Sequence, residues 1–582
     1  MLIMPGMRSK NINRIMRFNP LLHAACGALA VVAALLVFAG AARAQVSDST
    51  ARQDTAAGPA AGVRPDSGRG PLPGLDIPEI TIVGKKAITL PFARKGEIYD
   101  VPIYEAPGPD SALLTERPPI DLPPGSLPRY EQREEPWRIS AEGTAGSFGT
   151  FGGLGYVDYH TQRWNLSTVG GYRRTGGHVD NSDGDEYKLG GRYSSLVTTD
   201  NDILRDFRLN GDIEFRHDAF GMPGLAAAGV ERDRDLYTFG AGFASVKRDG
   251  IVIDFSVSAD ILSVDDTAPG ADSGITVTSP SVDLTVAGDL GDYRLITGFR
   301  YAGSSLDYQQ GVSSPSLAAL LAALQWRISP EVFIKAGGEF AGGSGTDGVS
   351  RNRLSPLAEV EWEAGPGRRL DVWFRSGMSL TPYTKLANDI PYLTREIEMI
   401  PETRTAAIGG SAWYNSGMVT LQLTGEYARA DNRLLVLADS GRIYTAFGGT
   451  WESKFAVEGT LRPETGFRVR FNGALRPSKE RGGDSQLPMT PIFDAGARAE
   501  YDVAENWTLN AALRGWTDQN VDRAGALSTP GAVVLDAGAS TTIVPQLLLS
   551  AGVRNLLDQK YEWWSGYPAR GIDFFVTAKA RF

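Results

Sequence analysis

From Trp137 to Phe582 the chain keeps to one local rule, in which apolar and polar side chains trade places at successive residues. Phe493, Ala495, Ala497, Ala499, Tyr501 and Val503 alternate with Asp494, Gly496, Arg498, Glu500 and Asp502. Phe467, Val469, Phe471 and Leu475 do so with Arg468, Arg470, Asn472 and Arg476, and Val533, Leu535, Ala537 and Ala539 with Asp536, Gly538 and Ser540. A period of two puts neighbouring side chains on opposite faces of a pleated strand. Each strand therefore has one apolar face and one face of charged and small residues.

Tight turn signals fall near residues 162, 201, 250, 291, 330, 366, 416, 464, 505 and 545. Between each neighbouring pair lies a second connection, mostly longer and more acidic, as at 177–186, 220–235, 381–403 and 478–491. Ten short turns and eleven other connections, with both ends on the short-turn side, make 22 strands over 446 residues. A soluble sandwich also alternates, but it has no reason to keep short turns on one side and longer loops on the other. A transmembrane antiparallel β-barrel does. The Ala-rich stretch 316–324 is apolar enough for a helix; it is read as a strand because it fits the turn count. All 11 Trp lie at or beyond Trp137, and Trp164, Trp326, Trp362, Trp413 and Trp507 sit close to short turns, as an interfacial girdle requires.

The amino terminus sets the compartment. Arg8, Lys10, Arg14 and Arg17 precede an apolar run from Ala24 to Gly40, which ends in Ala42-Arg43-Ala44. That pattern reads as a secretory signal peptide over residues 1–44, with an uncleaved anchor as the alternative. Its removal would take away Cys26, the only cysteine, and leave 53 basic against 68 acidic residues. The exported chain then has no disulfide to stabilise it. Residues 45–136 hold 15 of the 34 prolines and read as a Pro-rich, largely extended periplasmic or luminal segment. One β-branched patch interrupts it: Glu79, Ile80, Thr81, Ile82, Val83 and Gly84.

The last strand places Phe574, Val576, Ala578, Ala580 and Phe582 on one face and ends on an aromatic residue. It looks like the C-terminal signal read by the barrel assembly machinery. The run 552–562, Gly-Val-Arg-Asn-Leu-Leu-Asp-Gln-Lys-Tyr-Glu, followed by a loop and that final strand, resembles the closing hairpin of TonB-dependent outer-membrane receptors. Ile400-Pro401-Glu402-Thr403-Arg404 and Leu487-Pro488-Met489-Thr490-Pro491 resemble stretches that open later strands in that family. The resemblance implies a 22-strand barrel in the outer membrane of a Gram-negative-type bacterium, and it makes Glu79 to Gly84 similar to a TonB box, the strand that pairs with TonB by β-augmentation. An ordinary strand for another periplasmic envelope protein is the alternative. One departure stands out: only 52 residues separate Gly84 from Trp137, without the segments of a typical plug domain.

The expected function is a transport conduit or docking platform, with segment 45–136 as gate or tether. The alternatives are a structural or assembly protein that binds another envelope component, a passive porin, and an outer-membrane protease. His217-Asp218 and Asp265-Asp266 resemble the dyads of such proteases, which activate water between carboxylates. His178 with Asp180, Asp183, Asp185 and Glu186 offers oxygen ligands, but not at EF-hand spacing. No catalytic, metal or cofactor site is expected, and a formal charge of −10 argues against nucleic acid as a partner. Arg468, Arg470, Arg498, Glu500, Asp536, Arg554 and Lys579 are expected to line a wet lumen, occupied by residues from about Ile77 to Pro136 or by a partner.

Overall fold

The alternating segments form 22 strands, each hydrogen-bonded antiparallel to the next, in a computed structural model that describes residues 137–582 apart from 162, 201–204, 226–228, 247–249, 269–270, 309–310, 396 and 465. The signal peptide and Glu79 to Gly84 lie outside the described residues. In chain order the first eleven strands are β1 Trp137–Gly146, β2 Thr150–His160, β3 Trp164–Thr175, β4 Gly184–Asp200, β5 Arg205–Gly221, β6 Glu231–Ser245, β7 Val252–Ala268, β8 Ala271–Leu290, β9 Tyr293–Gly303, β10 Ser316–Ser329 and β11 Val332–Ser344. The rest are β12 Ser350–Glu363, β13 Arg368–Ser379, β14 Glu402–Asn415, β15 Val419–Asp439, β16 Arg442–Glu464, β17 Phe467–Leu475, β18 Phe493–Ala504, β19 Trp507–Trp516, β20 Ala532–Val544, β21 Leu547–Arg554 and β22 Asp573–Arg581. β22 returns to β1 in a register running from Ser140 opposite Arg581 to Gly146 opposite Phe575. The main chains of Ile139 and Phe582 exchange two more hydrogen bonds, of 3.1 and 2.8 Å. The sheet is closed, so among the described residues each of the 22 strands has a partner on both sides, which is the condition a bilayer sets for strands.

All ten expected short turns join consecutive strands, and the Ala-rich stretch is part of β10. The opposite side departs from expectation in one respect. Several of its eleven connections are short, among them residues 147–149, 345–349 and 440–441. There the strands themselves supply the reach. β15 and β16 run for 21 and 23 residues, about twice the 9–11 residues that cross a bilayer. Short strands within the loops, Ser305–Tyr308, Gly311–Ser313 and Ser478–Glu480, continue the ladders on that side.

One face of the wall is apolar and open. Leu189, Ile213, Leu320, Leu354, Ile408 and Phe455 are each more than half exposed. A patch of this extent around a whole molecule marks a lipid-facing surface. At its short-turn border the rings of Trp137 and Tyr159, Tyr159 and Trp164, and Trp164 and Tyr193 follow one another at 4.3, 4.7 and 6.4 Å, forming part of the interfacial girdle. Among the described residues no helix is long and apolar enough to cross a membrane.

Candidate gate at the loop end of the barrel

Residues of the opposite parity face the lumen. Arg468 and Arg498 reach Glu500 at 3.7 and 3.2 Å, Lys188 reaches Glu214 at 3.1 Å, and Arg300 reaches Glu339 at 3.2 Å. Arg554 lies 3.4 Å from Asp573, Asp536 accepts the Asn555 N–H at 2.8 Å, and Lys579 sits over the Tyr156 ring. Arg470 faces Arg498 across the β17–β18 ladder. The Arg300 side chain is 48% accessible although it points inward, so the interior is wet, as the alternation predicted.

Toward the loop end this polar lining gives way. On β7 the inward series runs Asp254, Ser256, Ser258 and Asp260, then turns to Leu262 and Val264 before Asp266. Leu262 and Val264 face Val277 and Ile275 of β8, and all four are buried. They are covered by the connection between β13 and β14. It begins with α1, Tyr383–Asp389, placed directly after Pro382. Tyr383, Leu386, Ala387 and Ile390 recur at helical spacing, so one stripe of the short helix is apolar and buried. Leu393 and Met399 extend the contact. Burying side chains of this size contributes about 1.5–3 kcal/mol each. The largest apolar cluster among the described residues is therefore a cap over the barrel mouth, drawn from residues 380–400 and the walls beneath.

Two arginines of β6 fix the cap. The sequence Arg232-Asp233-Arg234-Asp235 turns both guanidinium groups inward and both carboxylates outward. Arg232 donates from Nε and Nη2 to the two oxygens of Asp266 at 2.7 and 2.9 Å, and from Nη1 to the carbonyls of Pro391 and Leu393 at 2.8 and 2.7 Å. Arg234 donates to Asp218 at 2.8 Å and to the Ala387 carbonyl at 2.6 Å. That carbonyl lies in the last turn of α1, where helix carbonyls lack internal donors and a cation is favoured. Arg395 of the cap adds a 3.0 Å contact to Asp266. Both β6 arginines are 3% exposed, and a buried charge is tolerated only when paired in this way.

The cap also holds to other parts of the rim. Thr394 N–H donates to the Ile443 carbonyl at 2.7 Å at the root of the β15–β16 hairpin tip, and Met399 N–H donates to Thr346 Oγ1 at 3.0 Å. Above it three loops meet. Tyr392 stacks on Tyr567 at 3.8 Å, and Tyr567 Oη donates to the Gly441 carbonyl at 2.9 Å. Gly224, Gly441 and Gly566 touch backbone to backbone, and a Cβ on Gly441 would overlap the Gly224 carbonyl group. Gly224 follows β5 and Gly441 caps β15, ten strands away in a ring of 22, so the contact crosses the mouth.

The candidate residues read from the sequence fall elsewhere. The protease-like dyads are split by strand parity. His217 pairs outward with Asp235 at 2.8 Å, while Asp218 is bound by Arg216 and Arg234 and Asp266 by Arg232 and Arg395. No water-activating pair of carboxylates is assembled there. His178 contacts the Pro568 carbonyl at 2.7 Å, Asp185 accepts from Tyr172, and Glu186 pairs with Arg216. Among the described residues no three potential metal-binding side chains converge. Phe574 and Val576 lie on the exposed outer face of β22, as does the carboxy-terminal Phe582 next to β1. The cap was not legible as a site. Its two signals are the loss of alternation at Leu262 to Val264 and the paired inward arginines of β6.

No family model matches the chain, and no curated protein does. Solved structures share its fold. The copper transporter OprC superposes with a TM-score of 0.60 at 13% identity, over 77% of this chain and 80% of its own. The FrpB iron transporter from Neisseria meningitidis, F5-1 variant, gives 0.62 at 9% identity, over 77% and 83%. The ferric yersiniabactin uptake receptor FyuA from Yersinia pestis gives 0.59 at 13% identity, over 78% and 81%. The barrel expected from the resemblance to TonB-dependent receptors is the barrel these proteins have.

Proposed function

We propose that the protein is an outer-membrane conduit of the TonB-dependent receptor type, in a Gram-negative-type envelope. The barrel supplies a polar passage, and residues 45–136 act from the periplasmic side as gate or partner-binding tether. The observation that carries this reading is the lumen wall. Twenty-two strands enclose a width that side chains alone do not fill, and their inward faces carry solvated ion pairs such as Arg498–Glu500 and Arg300–Glu339. A barrel serving only as an anchor has no need of a wide wet interior. The similarity in fold to proteins named as copper and iron transporters and as a ferric yersiniabactin receptor supports transport. In this reading Glu79 to Gly84 adds as a strand to TonB.

The cap over the mouth favours a second reading, a docking platform for another envelope component. The two separate by chemical capture. With Cys26→Ser as background, Thr81→Cys or Val83→Cys provides a single thiol in the pairing strand. Disulfide capture of cysteine-bearing TonB in energised cells is the expected result. Capture of a different envelope protein in its place would contradict energy-coupled transport and favour docking.

A further inference from the structure

We propose that residues 380–401 are a resident outer gate, latched by Arg232 and Arg234, which closes the lumen from the loop side whatever occupies the periplasmic side. Three observations carry this. The segment crosses the mouth, with its helix against β7 and β8 and its later residues hydrogen-bonded to Thr346 and Ile443. On β7 and β8 the inward series changes from polar to the buried Leu262, Val264, Ile275 and Val277 where the segment covers it, so this stretch of wall is matched to a closed cap rather than to an open, wet vestibule. And the latch arginines bind backbone carbonyls of the cap while holding carboxylates of the wall. Opening the gate removes the carbonyl contacts but leaves each guanidinium beside its own carboxylate. The charges therefore stay paired in both states, and the cap can swing out without leaving an isolated buried ion. Passage from outside requires this movement.

The test reads lumen access from the loop side in the full-length protein. In a Cys26→Ser background, Thr285→Cys places a thiol on the inward face of β8, below Ile275 and Val277. A bulky, membrane-impermeant maleimide added to intact cells reaches it only through the mouth. With the latch intact, labelling is expected to be slow. In Arg232→Met/Arg234→Met, where Asp218 keeps Arg216 and, while the cap is closed, Asp266 keeps Arg395, it should run roughly tenfold faster or more, as a shifted two-state equilibrium would give. Replacing residues 383–398 by a short Gly-Ser linker should make it faster still, and heat-modifiable gel migration would show that each barrel remains folded. If the double variant fails to fold, the linker variant alone decides. Equal rates with and without the cap, whether fast or slow, would overturn the gate: fast means the mouth is already open, and slow means the barrier lies deeper.

Discussion

Asp389 shows how one residue can set the behaviour of the cap. It closes α1, where a carboxylate is disfavoured by the helix dipole, and its Oδ2 is buried without a hydrogen-bond partner among the described residues. Burial pushes its pKa up from 3.8 to about 6, with Lys385 opposing the shift. The sign follows from linkage. A closed cap that holds the proton more tightly than the open loop gains stability that is fully present below pH 3.8 and is lost as pH rises through about 6. The open fraction of the full chain in planar bilayers should therefore rise across that interval, and Asp389→Asn should flatten the profile. An unchanged profile in the variant would show that the residue does not act on the cap. The arginines work on a different principle. Arg232 and Arg234 are bound by groups more than 30 or 150 residues away in sequence, or, for Asp218, 16 residues away. Short-range spacing could place them on the inward face of a strand, but not against a loop.

At the scale of elements, strands were legible and the cap was not. The ten turns and the period of two are local properties, so β18, with Phe493 and Tyr501 outward and Arg498 and Glu500 inward, could be read residue by residue. Even the Ala-rich β10 followed once its flanking turns were placed. Residues 381–403 looked like one more loop because their apolar stripe, Tyr383, Leu386, Ala387 and Ile390, covers only two helical turns. Seven helical residues are too few to stand alone in water, and this helix exists because β7 and β8 offer a surface to it. The reach of β15 and β16 was missed for a similar reason, since their ladders extend past the bilayer by pairing with each other and with Ser478–Glu480. β22 carries the expectation about assembly. Deleting Phe582 removes an exposed aromatic and two main-chain hydrogen bonds to Ile139, so the amount of inserted barrel should fall. Undiminished insertion, measured by heat-modifiable migration from membrane fractions, would count against a C-terminal signal that includes Phe582.

For the whole molecule, two features must hold together: the interior is wide and polar, and the proposed gate lies across the outer mouth. A 22-strand ring lined by ion pairs would breach the permeability barrier if left open at both ends. The cap closes one end through the chain's own fold, while segment 45–136 is proposed to act at the other. Single-channel conductance tests this most directly, comparing the full chain with forms lacking residues 45–136, the cap helix and connection 383–398, or both. The full chain should show low, flickering conductance, and the form lacking both segments a large, steady one. A large, steady conductance in the full chain would contradict the account and leave an open porin. So would an absence of conductance when both segments are gone, because the lumen would then not be a continuous passage.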